Sequence, residues 1–319
     1  MTAPALSVVL TTRTGWAPVA ATLRCLAAQT VADRIELVLV SLGAEPPGEP
    51  PPEIAKLAAH RDVRLPGAGS VAEANAAGAL ASAAPVVAFG EDHSFPLPEW
   101  AAALLDRHEE PWAVVGPLVR NANPRTATSW ADFLLGYAPF AEGGSGGEVP
   151  ESPGHNSSYK RTLLERHADG LVAAMAAEWL FHGRLRAEGA RVYLEPRAIT
   201  RHVNFALPRV FLTAKFRAAH SGARVRAADW SWPRRLVYCG GSAILPALRL
   251  ARLLRGLSPA QRATVPLARV LPMLLAGLIV DAAGQAGGFV SRTSEPALDA
   301  DLELERIRYI PAADRAALP

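Results

Sequence analysis

The feature that most constrains this chain is an alternation through its first 89 residues, where short apolar runs are separated by stretches with helical spacing. "LSVVL" (6–10), "IELVLV" (35–40) and "VVAF" (86–89) have strand length and almost no polar face. Between them, "APVAATLRCLAAQ" (17–29) sets Val19, Leu23 and Leu26 at helical intervals behind Pro18, a residue suited to a first turn. "SVAEANAAGALASA" (70–83) opens on Ser70 with Glu73 three residues on, the pattern of a capping box. "PPEIAKLAAH" (51–60) predicts a helix entered through prolines, and "DVRL" (62–65) a short strand. Strands joined by helical crossovers form a parallel sheet covered on both faces. The expected fold class is therefore α/β, a mostly parallel sheet with helices on both sides. Ligands of such sheets bind beyond the carboxyl ends of the strands.

One strand end carries unusual chemistry. In "VVAFGEDHSFPLPEW" (86–100) the apolar run stops at Gly90 and is followed by Glu91, Asp92 and His93. Residues two apart at a strand end point the same way, so Glu91 and His93 aim at one point, with Asp92 turned aside or recruited by the bend. Carboxylates bind Mg²⁺ or Mn²⁺, and imidazole suits Mn²⁺ better than Mg²⁺. A divalent ion there would bridge a diphosphate and neutralise it as it leaves. The competing reading is a solvated turn that only caps a strand.

The surrounding motifs bear on that choice. "SVVLTTRTG", "LRCLAAQT", "IELVLVSLG" and "APVVAFGEDH" follow one another in order, and downstream come "GHNSSYKR" (154–161) and "AAEWLFHGRLRAEGARVYLEPRAITRHVNF" (176–205). This series resembles a family 2 glycosyltransferase of the GT-A, Rossmann-like fold over about residues 5–205. Ala28-Gln29-Thr30 matches the end of the family's first helix, and Glu91-Asp92-His93 stands in the place of its Asp-x-Asp motif. The resemblance implies an inverting transfer of a sugar from a nucleotide-diphosphate donor to a hydroxyl acceptor, with Mn²⁺ or Mg²⁺ as cofactor. It implies a donor site at Thr11, Thr12, Arg13, Ser41, Asn75, Glu91 and Asp92. Metal ligands would be Glu91, Asp92, His93 and His202. His155 and Asn156 would lie near the acceptor, a glycan, lipid or small molecule. Glu178 takes the position of the catalytic base, near the start of a candidate helix over 175–188 where the helix dipole favours a carboxylate.

Three departures from the pattern leave the nucleotide open, one of them His93 in place of an acid of the Asp-x-Asp motif. Ser41-Leu42-Gly43 stands where the family has Asp residues, and Ala72-Glu73-Ala74-Asn75 lacks the usual Arg. They admit an unusual donor, reduced activity, or a non-catalytic protein of the same fold that binds a glycan or a partner. A nucleotidyltransferase is a weaker third reading, because "LTTRTGWAP" has no Gly-rich, Lys-bearing loop.

Residues 116–154 read as an insertion. It holds a helix candidate over 126–136 and a Gly/Ser/Pro-rich loop, "AEGGSGGEVPESPG" (141–154), suited either to closing over a donor or to connecting elements. Beyond the domain at 1–205, residues 206–290 form an apolar and basic helical region. From Pro196 to Val280 there are fourteen Arg and Lys against one acid, Asp229, around the apolar runs 236–248 and 270–280. "WSWPRR" (230–235) adds two tryptophans beside basic residues. Neither run reaches the ~18–20 residues of a clear span. The expectation is a membrane-surface region at the inner face of the cell membrane; a soluble bundle and a dimer interface are the alternatives. Residues 291–319 read as a polar, loosely docked tail. The net charge of +3 gives no reason to expect nucleic acid, and Cys25 and Cys239 are too few for a disulfide framework. With no signal-peptide pattern at the start, a cytoplasmic location is expected.

Overall fold

A computed structural model of the chain describes residues 3–291 and 304–319. These fall into two compact units, one from the chain up to Arg120 with Ser145–His202, the other from Asn121–Gly144 with the chain from Val203 on. The first unit is built on β1 (Leu6–Thr12), β2 (Ile35–Ser41), β3 (Ala59–Arg64), β4 (Val86–Phe89), β5 (Ser94–Pro96), β6 (Val114–Asn121), β7 (Gly147–Glu148), β8 (Ser158–Lys160) and β9 (Val192–His202). Their order in space is β3-β2-β1-β4-β8-β6-β9-β5, with β7 also on β9. The helices are α1 (Ala20–Ala27), α2 (Val71–Ala81), α3 (Trp100–His108), α5 (Arg161–Arg166), α6 (Leu171–Ala176) and α7 (Glu178–Ala187).

β3, β2, β1 and β4 run parallel, and β1, β2 and β4 are buried along their whole length. Their apolar side chains with those of α1 and α3 make the main core. One buried carboxylate pins this half. Glu36 on β2 accepts hydrogen bonds from Ser7 Oγ at 2.5 Å and from the Ala83 amide at 2.8 Å, with Arg61 Nε 3.4 Å away on β3. α2 forms its capping box through Ser70 and Glu73. A Cβ at Gly78 would strike Val9 and Val40, so the helix lies close on β1 and β2 because it carries glycine there.

Beyond β4 the pairing turns antiparallel: β8 with β4 and β6, and β9 with β5 and β7. Three local expectations are corrected here. Residues 52–56 make only a short 3-10 turn, and the chain enters β3 at Ala59. Prolines at 50–52 allow a first turn but no preceding one, and pairing of Ala59–Arg64 with β2 takes the rest. Residues 116–121 are strand, not insertion: β6 is buried except at Arg120. Gly and Pro in "VVGPLVRN" argue against a strand, but a Cβ at Gly116 would come within 2.6 Å of Ser152 Cβ, so the glycine serves a close packing. The single helix expected over 175–188 is two, broken at Ala177.

The second unit is helical: α4 (Ala127–Tyr137), α8 (Pro208–Arg226), α9 (Trp232–Gly241), α10 (Leu245–Gly256), α11 (Pro259–Thr264) and α12 (Leu267–Val290). α12 lies against α8 through a glycine seam. A Cβ at Gly277 would strike Phe211, at Gly284 the Phe216 carbonyl, and at Gly288 the His220 carbonyl. Asp132 on α4 is buried but accepts from the Phe205 amide at 2.8 Å and faces Lys215 Nζ at 2.7 Å. Burial works to raise its pKa, and the charges of Lys215 and Arg306 outweigh that and hold it low. Two stretches, Trp232–Gly256 and Leu267–Val290, are long and apolar enough to cross a membrane by length and composition. The first has only 6 % of its most apolar window buried, the second 33 %. Part of the expected tail, residues 292–303, lies outside the described residues. The described part packs: Leu304, Ile310 and Asp314 are buried, and Arg306 lies over Phe205 at 4.5 Å.

Candidate active site

The strand register assembles the site. The parallel ends of β1 and β2 coincide, Thr12 beside Ser41. β4 ends three residues short of them, Phe89 beside Val9, and the chain leaves through Gly90 into Glu91-Asp92-His93 alongside the last residues of β1. Because β8 runs antiparallel to β4, the residues before β8 return alongside the residues after β4. The Asn156 amide donates to the Phe89 carbonyl at 2.6 Å, and Asn156 adopts φ 71°, a left-handed conformation that Asn tolerates. On the other side β5 pairs with β9, placing Ser94 opposite His202.

Three side chains therefore converge from two distant stretches. Glu91 Oε1 is 3.5 Å from His93 Nε2, and Glu91 Oε2 is 3.4 Å from His202 Nε2. The two imidazole rings meet edge to face at 5.0 Å. One donor atom from each residue lies within 4.8 Å of the others, and both histidines are buried. Neighbouring ligands on an octahedral ion with bonds of ~2.1 Å stand about 3 Å apart, so the cluster is slightly open but of the right size. A carboxylate and two imidazoles form a donor set for a divalent transition ion.

Asp92 stands behind this cluster. Its Oδ1 is 2.6 Å from His93 Nδ1. A proton on Nδ1 shared with that carboxylate leaves the Nε2 lone pair for a metal, the usual arrangement behind a histidine ligand. Thr22 on α1 secures the turn, its hydroxyl reaching the carbonyls of Glu91 at 2.8 Å and Ser94 at 3.0 Å. Ser94 and Thr200 hydroxyls meet at 2.7 Å across β5 and β9. Thr22 and Thr200 carry no sequence signal for this role; only the fold brings them here.

The other expected residues are placed as follows. Asn156 Nδ2 donates to Glu91 Oε2 at 3.2 Å, and His155 Nδ1 is 4.0 Å from Glu91 Oε1, so both adjoin the cluster. Glu178 is the first residue of α7 and is buried. Its carboxylate lies against Gly154, where a Cβ would overlap Oε2. The glycine thus makes room for Glu178 one residue from His155. Tyr159, whose hydroxyl meets His182 Nε2 at 2.8 Å, has its pKa raised by burial and then by the Glu178 charge. Burial pushes His182 down to about 4.

Thr11, Thr12 and Ser41 are buried at the ends of β1 and β2. Thr12 Oγ donates to the Gly15 carbonyl at 2.6 Å. The hydroxyls of Thr11 and Ser41 have no hydrogen-bond partner among the described residues, an arrangement more at home beside a ligand than in a dry core. The Arg13 carbonyl lies against Gly43, and Asn75 is buried on α2.

Fold and site together define an α/β protein that presents a carboxylate–imidazole cluster beyond the ends of its parallel strands. Among solved structures the chain is similar to the mannosyltransferase PcManGT from Pyrobaculum calidifontis, determined with GDP-Man and Mn²⁺. The TM-score is 0.53 and the identity 18 %, over 89 % of this chain and 88 % of that one. The fold is thus GT-A-like, with helices following the sheet unit. Weaker likenesses are to GalNAc-T7 with UDP, GalNAc and Mn²⁺ (TM-score 0.43, 14 % identity, 63 % of this chain and 44 % of that one). Another is to residues 1–349 of S. aureus TarS (0.45, 15 %, 88 % and 89 %). No family model matches the chain, and no curated protein matches it in sequence.

Proposed function

We propose that this protein is a family 2-like glycosyltransferase that moves a sugar from a nucleotide-diphosphate donor to a hydroxyl acceptor with inversion. The observation that carries the reading is the convergence of Glu91, His93 and His202 beyond the strand ends of a GT-A-like fold. These three residues would hold a divalent cation. Bound there, it supplies positive charge against the diphosphate of the donor. Two imidazoles in the set favour Mn²⁺ over Mg²⁺.

The chain's own residues account for the rest. Asp92 orients His93, and Asn156 holds Glu91 from the other side, with His155 close by. Glu178 is the general base. Its carboxylate takes the acceptor proton as the hydroxyl oxygen bonds to the anomeric carbon and the bond from that carbon to the diphosphate breaks. Its place at the first residue of α7 sets the positive end of the helix dipole beside that carboxylate.

Mn²⁺ titration followed by electron paramagnetic resonance, with and without a panel of nucleoside diphosphates, tests the site. Tight Mn²⁺ binding, weak competition by Mg²⁺, and loss of binding in His93→Ala and His202→Ala are expected. Glu178→Gln should keep donor affinity and lose turnover by roughly two or more orders of magnitude, the worth of a positioned base. Near-normal turnover in that variant places the base elsewhere. Nucleotide binding by the unaltered protein with no transfer to any acceptor would support the non-catalytic reading instead.

A further inference from the structure

We infer that the helix from Trp232 to Gly256 is a docking surface for an anionic lipid bilayer, and that it lies in the plane of the membrane. The inference concerns the helical unit alone and does not depend on the transfer reaction. Along α9 and α10, positions 237, 241, 244 and 248 recur at helical intervals and form one face. Val237 is 70 % exposed, Ile244 61 % and Leu248 53 %, with Gly241 between them. Ile279 on α12 is 58 % exposed. Single exposed apolar residues are ordinary, but a whole helix face of them marks a surface that something covers.

Charge decides what covers it. The face is bounded by Arg234 before it and by Arg252 and Arg255 after it. From Trp232 to Val290 there are seven arginines and one acid, Asp281. That acid is engaged within the unit, by Arg249 and by Gln285 Nε2 at 2.7 Å. No acidic side chain is left in this stretch to offset the arginines. A second copy of the chain would bring the same basic excess against it, and like charge opposes such pairing. An anionic bilayer accepts both the apolar face and its basic ends. Trp230, stacked on Phe289 at 5.6 Å with Arg234 4.1 Å above its ring, has the aromatic–basic pairing of a headgroup anchor.

Two observations place the helix along the surface. The whole helix has spanning length, but its uncharged run Leu236–Leu248 is thirteen residues, about 20 Å against a hydrocarbon core of ~30 Å, so a span would carry Arg234, Arg235 or Arg249 into it. α12 is longer, but its glycine seam lies on α8, which carries Arg209, Lys215, Arg217, Arg224 and Arg226. Taking so basic a neighbour into hydrocarbon with it would be costly.

The test is co-sedimentation of the full chain with phosphatidylcholine vesicles and with phosphatidylcholine/phosphatidylglycerol vesicles across a salt series. Binding to the anionic vesicles is expected. It should weaken with salt as the Debye length shrinks and persist in part at high salt through the apolar contact. Val237→Glu with Ile244→Glu should lower partitioning at least tenfold while thermal unfolding stays unchanged, because both side chains already face water. Arg252→Gln with Arg255→Gln should weaken binding and flatten its salt dependence. Three results would each overturn the inference: full-length protein left in the supernatant beside anionic vesicles at every salt, wild-type binding by the double glutamate variant, or a dimer that the glutamates dissociate without any vesicle binding.

Discussion

At the scale of single residues the decisive contact is between Asp92 and His93. "EDH" was legible as a cluster with Glu91 and His93 on one side, but the bond from Asp92 to His93 was not. A side chain's partner depends on how the turn after β4 bends, and Thr22 holds that bend from a helix 69 residues earlier. In the structure Asp92 Oδ1 sits 2.6 Å from His93 Nδ1, so its charge acts through the histidine. Asp92→Asn keeps the shape and removes the charge. Mn²⁺ affinity should fall by about 10- to 100-fold, the usual cost of losing such a partner, with the far-ultraviolet circular dichroism unchanged. Metal affinity equal to wild type, by the same resonance titration, would leave Asp92 a packing role only. Glu178 was visible as a candidate by its position in the pattern of a resembling family. Its contact with Gly154 was not, because nothing local to either residue encodes it.

At the scale of elements, legibility follows locality. β1, α1, β2, α2 and β4 could be read because an unbroken apolar run and a capped helix are local signals. β6 was hidden by a glycine that exists for Ser152 and Pro153, residues 36 and 37 positions away. The pairing of β5 with β9, which delivers His202 to the cluster, leaves no mark in either strand. The same holds for α8 and α12. The glycines at 277, 284 and 288 look like helix weakeners in a sequence, yet each sits where α8 comes too close for a side chain. Gly288→Val would press against the His220 carbonyl and Ala223. It should destabilise the helical unit by roughly 1–3 kcal/mol, the cost of overpacking, despite a better β-branched fit to an apolar segment. Urea unfolding monitored in the helical signal checks this; an unchanged midpoint would mean the helices separate at little cost.

At the scale of the whole molecule, two buried histidines set a pH response. Burial, aided for His108 by the Lys160 charge, pushes His108 and His182 down to about 4. Both are neutral when folded and protonate near 6.5 once exposed. Between those values the unfolded chain binds more protons, so stability rises with pH from about 4 to about 6.5 and is fully present above that. Two such groups give a slope of up to ~2.7 kcal/mol per pH unit in the window. Denaturant midpoints of the wild type should fall steeply on acidification from pH 7 to 5, and those of His108→Asn with His182→Asn should fall less. Parallel declines would assign the slope to other groups. The strand order carries a consequence for synthesis as well. Glu91 and His93 leave the ribosome well before His202, and β5 waits for β9 across the 108 positions from Ser94 to His202. At ~5–20 residues per second that interval is about 5–20 s. During it β5 is an open edge on a growing chain, and its three-residue length and Pro96 are what keep it from pairing with the wrong strand. The candidate metal cluster of the nascent protein thus stays incomplete until β9 is made.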